Sequence, residues 1–120
     1  MIYRQSERQL AVAPPQVEGA LGYSKLEIVP RQELCGAGRL LSQITLPPGG
    51  AIAEHGHQDE YEVYCILTGE GDYCDNGSVV KVRAGDVALC PNGERHGLTN
   101  TGRDDLVFIA FIGFPNPEKQ

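Results

Sequence analysis

Residues 49–71 read GGAIAEHGHQDEYEVYCILTGEG. The second half, EVYCILT, packs Val, Tyr and Ile into seven residues between a charged loop and Gly69. That is too short for a well-formed helix and has the β-branched and aromatic content of a buried strand. The first half carries two of the chain's three histidines, His55 and His57, with one residue between them. In extended backbone, residues two apart point to one face, so both imidazoles are expected to aim the same way. Glu62, at the start of the next run, can turn its carboxylate toward them.

Outward from this stretch the pattern stays β. On the N-terminal side, RLLSQITL from Arg39 alternates Leu40, Ser42, Ile44 and Leu46 against Leu41, Gln43 and Thr45, then stops at PPGG. On the C-terminal side, GDYCDNGSVVKVRAG holds Asn76-Gly77 between two extended runs, the dipeptide that supplies the positive φ angles of a two-residue hairpin turn. DVALC is another short strand before PNGERHG, where the third histidine, His96, sits. LVFIAFIGF is apolar at both parities, so both of its faces should be covered, one by the core and one by a second subunit. No segment of ten residues has helical periodicity. Short strands at regular spacing with Gly or Pro between them predict an all-β sandwich or barrel of the jelly-roll kind.

A chain of 120 residues holds one domain with a modest core. Its net charge of −6 argues against a phosphate-binding surface for nucleic acid or anionic lipid, which needs an excess of Lys and Arg. A small-molecule ligand remains. The sequence has no apolar run of about 18 residues and no compact signal-like core, so the expected address is the cytoplasm. The four cysteines, Cys35, Cys65, Cys74 and Cys90, form no C-x-x-C pair and are expected to be reduced and structural. Residues 1–37 read as an N-terminal arm or lead-in strand with no chemistry in its first 20 residues, 38–114 as the barrel, and 115–120 as a C-terminal tail.

Three neutral imidazoles and one carboxylate make a mixed N/O set that suits one divalent transition metal such as Fe, Mn, Ni, Co or Zn. The spacing then brings in a resemblance. Gly49, five residues, His55-Gly56-His57, four residues, Glu62, six residues and Gly69 is similar to the first motif of the cupin superfamily. Gly85, five residues, Pro91-Asn92-Gly93, two residues, His96, three residues and Asn100 is similar to the second. The chain thus resembles a small single-domain microbial cupin, which implies a double-stranded β-helix (jelly-roll) barrel. The resemblance puts the four metal ligands on His55, His57, Glu62 and His96. Glu60 could also reach a metal, but only Glu62 keeps the six-residue spacing to Gly69. Asn100 is expected to bond nearby backbone in a turn.

If Glu62 points inward, Tyr64 and Ile66 share its face, and Val63, Cys65 and Leu67 do not. Gln43, Leu98 and one parity of LVFIAFIGF are expected to complete a narrow cavity wall. Tyr64 and Glu60 are the only evident proton carriers and so the candidate catalytic residues. In the family that the chain resembles, this ligand set appears in dioxygenases, decarboxylases, isomerases and lyases, and in members without activity. The basic residues Arg39, Lys81, Arg83 and Arg95 look scattered, which disfavours a phosphorylated substrate. The expected function is therefore a metal-dependent enzyme acting on a small carboxylate, keto acid or enol, with a non-catalytic ligand-binding or sensing protein as the alternative. A homodimer is the expected assembly.

Overall fold

The computed structural model describes residues 1–116, so the tail expected over 115–120 falls, from residue 117, outside the described residues. The ten strands among them are β1 (Leu10–Ala13), β2 (Tyr23–Glu27), β3 (Gly38–Leu46), β4 (Ala51–Gly56), β5 (Tyr61–Thr68), β6 (Glu70–Asp75), β7 (Ser78–Arg83), β8 (Val87–Cys90), β9 (Arg95–Asn100) and β10 (Leu106–Gly113). They form two antiparallel sheets, one of six strands in the order β1-β2-β3-β10-β5-β8 and one of four in the order β4-β9-β6-β7. The two sheets face each other in the double-stranded β-helix arrangement.

Strand β10 is the middle of the core. Its residues Leu106, Phe108, Ala110 and Ile112 alternate inward, and the first three are fully buried. Across from it, Ile44 and Leu46 of β3 and Tyr64 and Ile66 of β5 point the same way, as period two requires. Ala110 lies opposite Tyr64 in the β10–β5 register, and its small side chain leaves room for the tyrosine ring, which packs on Phe108 at 4.6 Å between centroids. Ile52, Tyr73 and Leu98 close the core from the four-stranded sheet.

Turn chemistry fixes the register. Asn76 and Gly77 both have positive φ, 51° and 90°, and join β6 to β7 as the sequence predicts. Gly69 has φ 91°, and a Cβ there would lie 2.6 Å from the Asp105 carbonyl oxygen, so no other residue fits the β5–β6 corner. Asn100 is buried and works as a staple. Its Nδ2 donates to the carbonyls of Leu46 at 2.9 Å and Asp104 at 2.8 Å, while its Oδ1 accepts the Gly102 N–H at 2.9 Å. Asn100→Ala strands these groups and is expected to cost about 2–3 kcal/mol. Urea unfolding would read this as a lower midpoint with an unchanged slope, and an unchanged midpoint would contradict it.

Residues 1–37, expected as an arm or lead-in strand, hold two strands: β1 pairs with β2 and β2 with β3, so this segment extends the large sheet. YSKLE shows no clear alternation, and long-range pairing decides its state. Strand β9 was hidden for a similar reason, because RHGLTN has a glycine at its centre and few β-formers. All four cysteines are free, and Cys90 is buried. No helix among the described residues is long and apolar enough to cross a membrane.

Candidate metal centre

His55 does not reach the interior by simple alternation. Ile52 pairs with Leu98 and His55 with His96, so β4 carries one more residue than β9 between those pairs. This bulge shifts the phase of β4, and His55 takes the inward face that Ile52 holds one pair earlier. His57 follows the end of β4 and is tied to the loop before β9. Its N–H donates to the Glu94 carbonyl at 3.1 Å, and its carbonyl accepts the Gly93 N–H at 2.8 Å. The Pro91-Asn92-Gly93 bend therefore holds His57 as well as leading to His96. Glu62 enters from β5, between Ile112 of β10 and Cys90 of β8.

The four side chains converge. Glu62 Oε1 lies 2.9 Å from His96 Nε2, 3.0 Å from His57 Nε2 and 3.5 Å from His55 Nε2. His96 Nε2 is 3.1 Å from His57 Nε2 and 3.2 Å from His55 Nε2. All four potential ligand atoms lie within 4.8 Å of one another, and His57, Glu62 and His96 are buried.

The outer nitrogens decide what this cluster can do. His55 Nδ1 lies 2.8 Å from the Ala53 carbonyl, and His57 Nδ1 lies 2.7 Å from Glu60 Oε1. A carbonyl and a carboxylate can only accept, so both Nδ1 atoms must carry the proton. In the neutral rings Nε2 then offers a lone pair to the centre. His96 Nδ1 meets the Tyr73 hydroxyl at 2.9 Å, a partner that can accept as well as donate. The Nε2 lone pairs of His55 and His57, joined by that of His96 where its Nδ1–H donates to Tyr73, and a carboxylate oxygen aimed at one point repel each other unless a cation lies between them. The donor set therefore fits a metal ion, and ligands held by outer hydrogen bonds are the usual arrangement in such centres.

Charge follows the same logic. Burial disfavours an ionised Glu62, but in the metal-free protein with the rings protonated, Nε2–H donors on His55 and His96 and the imidazolium charges outweigh it and hold its carboxyl at about 2. Glu60 is also held at about 2, chiefly by Arg39, whose guanidinium grips it through Nε at 2.7 Å and Nη2 at 2.9 Å. The Glu62 hydrogen bond raises the His55 pKa, whereas burial lowers that of His96. Tyr64, 1% exposed, stacks on His96 at 4.8 Å and 25°, and burial pushes its hydroxyl well above the usual tyrosine value.

His55, His57 and Glu62 of the cluster line a cavity of about 290 Å³. The family model described as a cupin domain matches residues 42–112. The chain belongs to the cupin family. Among relatives, the oxalate-binding protein of Thermotoga maritima is 35% identical over 116 residues, 93% of each chain. A germin-like protein of Morus alba is 32% identical over 92 residues, 71% of this chain and 43% of its own length. The crystal structure of a predicted oxalate decarboxylase from Thermotoga maritima matches with a TM-score of 0.89 and 35% identity, over 95% of this chain and 99% of that one.

In this cupin the cavity wall differs from the expected one. Gln43 lies opposite Ile109 and shares the outer face of the large sheet, because its neighbours Ser42 and Ile44 take the inner one. Leu98 is buried in the core and does not line the cavity, whereas Ile112 of β10 does. The arm that was expected to carry no chemistry supplies Gln16 to the wall, and β2 supplies Tyr23 and Lys25. Arg39 is not isolated either, since it shares the cavity with Lys25. Sequence reasoning also missed Tyr73, although the inward parity of GDYCD could have flagged it.

Proposed function

We propose that this cupin holds one divalent transition metal on His55, His57, Glu62 and His96 and uses it to bind a small dicarboxylate or keto acid of the oxalate class. The observation that carries the reading is the pair of acceptor-only partners, Ala53 carbonyl and Glu60 carboxylate, on the outer nitrogens of His55 and His57. A bound divalent ion would supply a Lewis acid with open positions for oxygen ligands. Three neutral imidazoles and one carboxylate leave it a net positive charge, which favours an anionic chelator. The names of the Thermotoga maritima relatives support the oxalate class.

Binding takes precedence over turnover because of the proton carriers. An efficient general acid or base has a pKa near the working pH. Glu60, expected as one, is ionised and engaged with Arg39 and His57, so its role is to position His57. Tyr64 keeps its proton and acts as a wall and hydrogen-bond donor. Turnover as a decarboxylase, dioxygenase or isomerase is the second reading, favoured by the complete ligand set. Calorimetry of metal-loaded protein with oxalate, followed by an assay of oxalate consumption, separates the two. Absence of metal-dependent oxalate binding would overturn the reading.

Glu60→Gln replaces the acceptor carboxylate on His57 by an amide and breaks the two-point grip of Arg39. Metal affinity is expected to fall by about 10–100-fold, read by competition with a chromophoric chelator, and wild-type affinity would contradict the positioning role. For assembly we propose a homodimer through the outer face of the large sheet. There Val107, Ile109 and Phe111 of β10 are half-buried and, across Val63 and Cys65 of β5, share the face with Val87 and Leu89 of β8, which are 64% and 54% exposed. A sedimentation mass near 13.0 kDa at micromolar concentration would contradict it.

A further inference from the structure

Gln16 of the N-terminal segment and Tyr23 and Lys25 of β2 share the lining of the cavity with His55 and His57, and the hydrogen bonds of this part of the wall have a direction. The Ala53 N–H donates to Gln16 Oε1 at 3.1 Å. A backbone N–H can only donate, so this bond fixes which end of the Gln16 amide is oxygen. Gln16 Nε2 then donates to the Tyr23 hydroxyl oxygen at 3.0 Å. With that oxygen engaged as an acceptor, the hydroxyl hydrogen is left to donate elsewhere, and Tyr23 lines the cavity. Burial raises the Tyr23 pKa, so it keeps the proton it would donate.

Lys25 stands two residues further along β2, opposite the inward-facing Ile44, and lines the same cavity. Glu27, next on that parity, is not part of the lining. Among the described residues Lys25 has no ion-pair partner, whereas Arg39 is committed to Glu60. The charges of the wall complete the picture. Lys25 and Arg39 balance Glu60 and Glu62, so a divalent ion in the centre leaves the cavity with the charge that one dicarboxylate dianion neutralises.

We infer that Tyr23 and Lys25 form an anion subsite facing the metal centre, and that it selects dianionic ligands over monoanionic ones of the same size. This rests on the proposed metal-dependent binding of a small carboxylate. The ligand oxygens turned away from the histidines meet the Tyr23 hydroxyl and the Lys25 ammonium. The ammonium distinguishes a second carboxylate from a neutral group, because a charge-assisted hydrogen bond is roughly twice as strong as a neutral one. Gln16 sets the direction of the Tyr23 donor. Specificity therefore comes from the segment that precedes both cupin motifs.

The test uses Co²⁺-loaded protein, with oxalate and its monoanionic isostere oxamate as probes. Calorimetry gives both dissociation constants for wild type, Lys25→Met, Lys25→Arg and Tyr23→Phe, and Co²⁺ affinity is measured separately without ligand. Wild type is expected to prefer oxalate by about tenfold or more, and Lys25→Met to lose that preference with an oxalate Kd raised about tenfold or more. Lys25→Arg should recover most of it. Tyr23→Phe should weaken both ligands by a similar factor of about five. Co²⁺ affinity should not fall in any of them, which separates loss of the subsite from loss of the fold. Unchanged oxalate and oxamate constants in Lys25→Met would overturn the subsite alone. Wild type that takes up Co²⁺ but binds no oxalate would overturn the ligand class, and wild type that takes up no Co²⁺ would overturn the metal centre, each removing this inference with it.

Discussion

Protein carrying His57→Ala together with His96→Ala is expected to retain no stoichiometric divalent metal. The two imidazoles supply two of the three Nε2 donors, and the chain's only other histidine is His55. A single imidazole and Glu62 cannot replace the set, so the loss should exceed the ~100-fold that follows removal of an outer hydrogen-bond partner. The barrel itself should survive. Its core is built on β10, β3 and β5, whose buried residues are continuous without the histidines. Far-ultraviolet circular dichroism would check the fold, and equilibrium dialysis with elemental analysis the metal. A folded double variant with one ion per chain would contradict the ligand assignment.

Stripping the metal from wild-type protein should lower the melting temperature by about 10–20 °C at pH 7.5. A ligand bound by the native state alone stabilises it by about 4 kcal/mol at 1,000 times its dissociation constant. In a chain of this length, each kcal/mol moves the midpoint by several degrees. The structural reason is the convergence of three Nε2 atoms on Glu62, which only a cation resolves without protonating a buried ring. The apo protein should nevertheless melt cooperatively, because the ladders and the Asn100 staple do not involve the metal. Identical midpoints for verified holo and apo protein would show that the site adds nothing to stability. An unfolded apo protein would show that the barrel depends on it.

What the sequence carried and what it hid divide along physical lines. The candidate ligand set was legible because His55, His57 and Glu62 lie within eight residues of one another and His96 follows a Gly-Pro framework whose spacing is distinctive. The Asn76-Gly77 hairpin and the strand character of the apolar run that forms β10 are likewise local signals. The phase of His55 was not readable in this way: simple alternation gave the right face for the wrong reason, since a bulge in β4 supplies it. Arg39 meets Glu60 across 21 positions, and Gln16 meets Ala53 across 37. Such pairings depend on which strands become neighbours, and no local pattern encodes them. The cavity wall was therefore misjudged at Gln43 and Leu98 and missed at Gln16, Tyr23 and Lys25, whereas the grouping of the three histidines with Glu62 was legible.

Elemental analysis of protein purified without chelator and without a nickel column tests the central claim most directly. One divalent transition metal ion per chain is expected, released by Glu62→Ala and by the paired histidine substitutions. Protein that is folded, metal-free and unable to take up Fe, Mn, Ni, Co or Zn at micromolar concentration would contradict it.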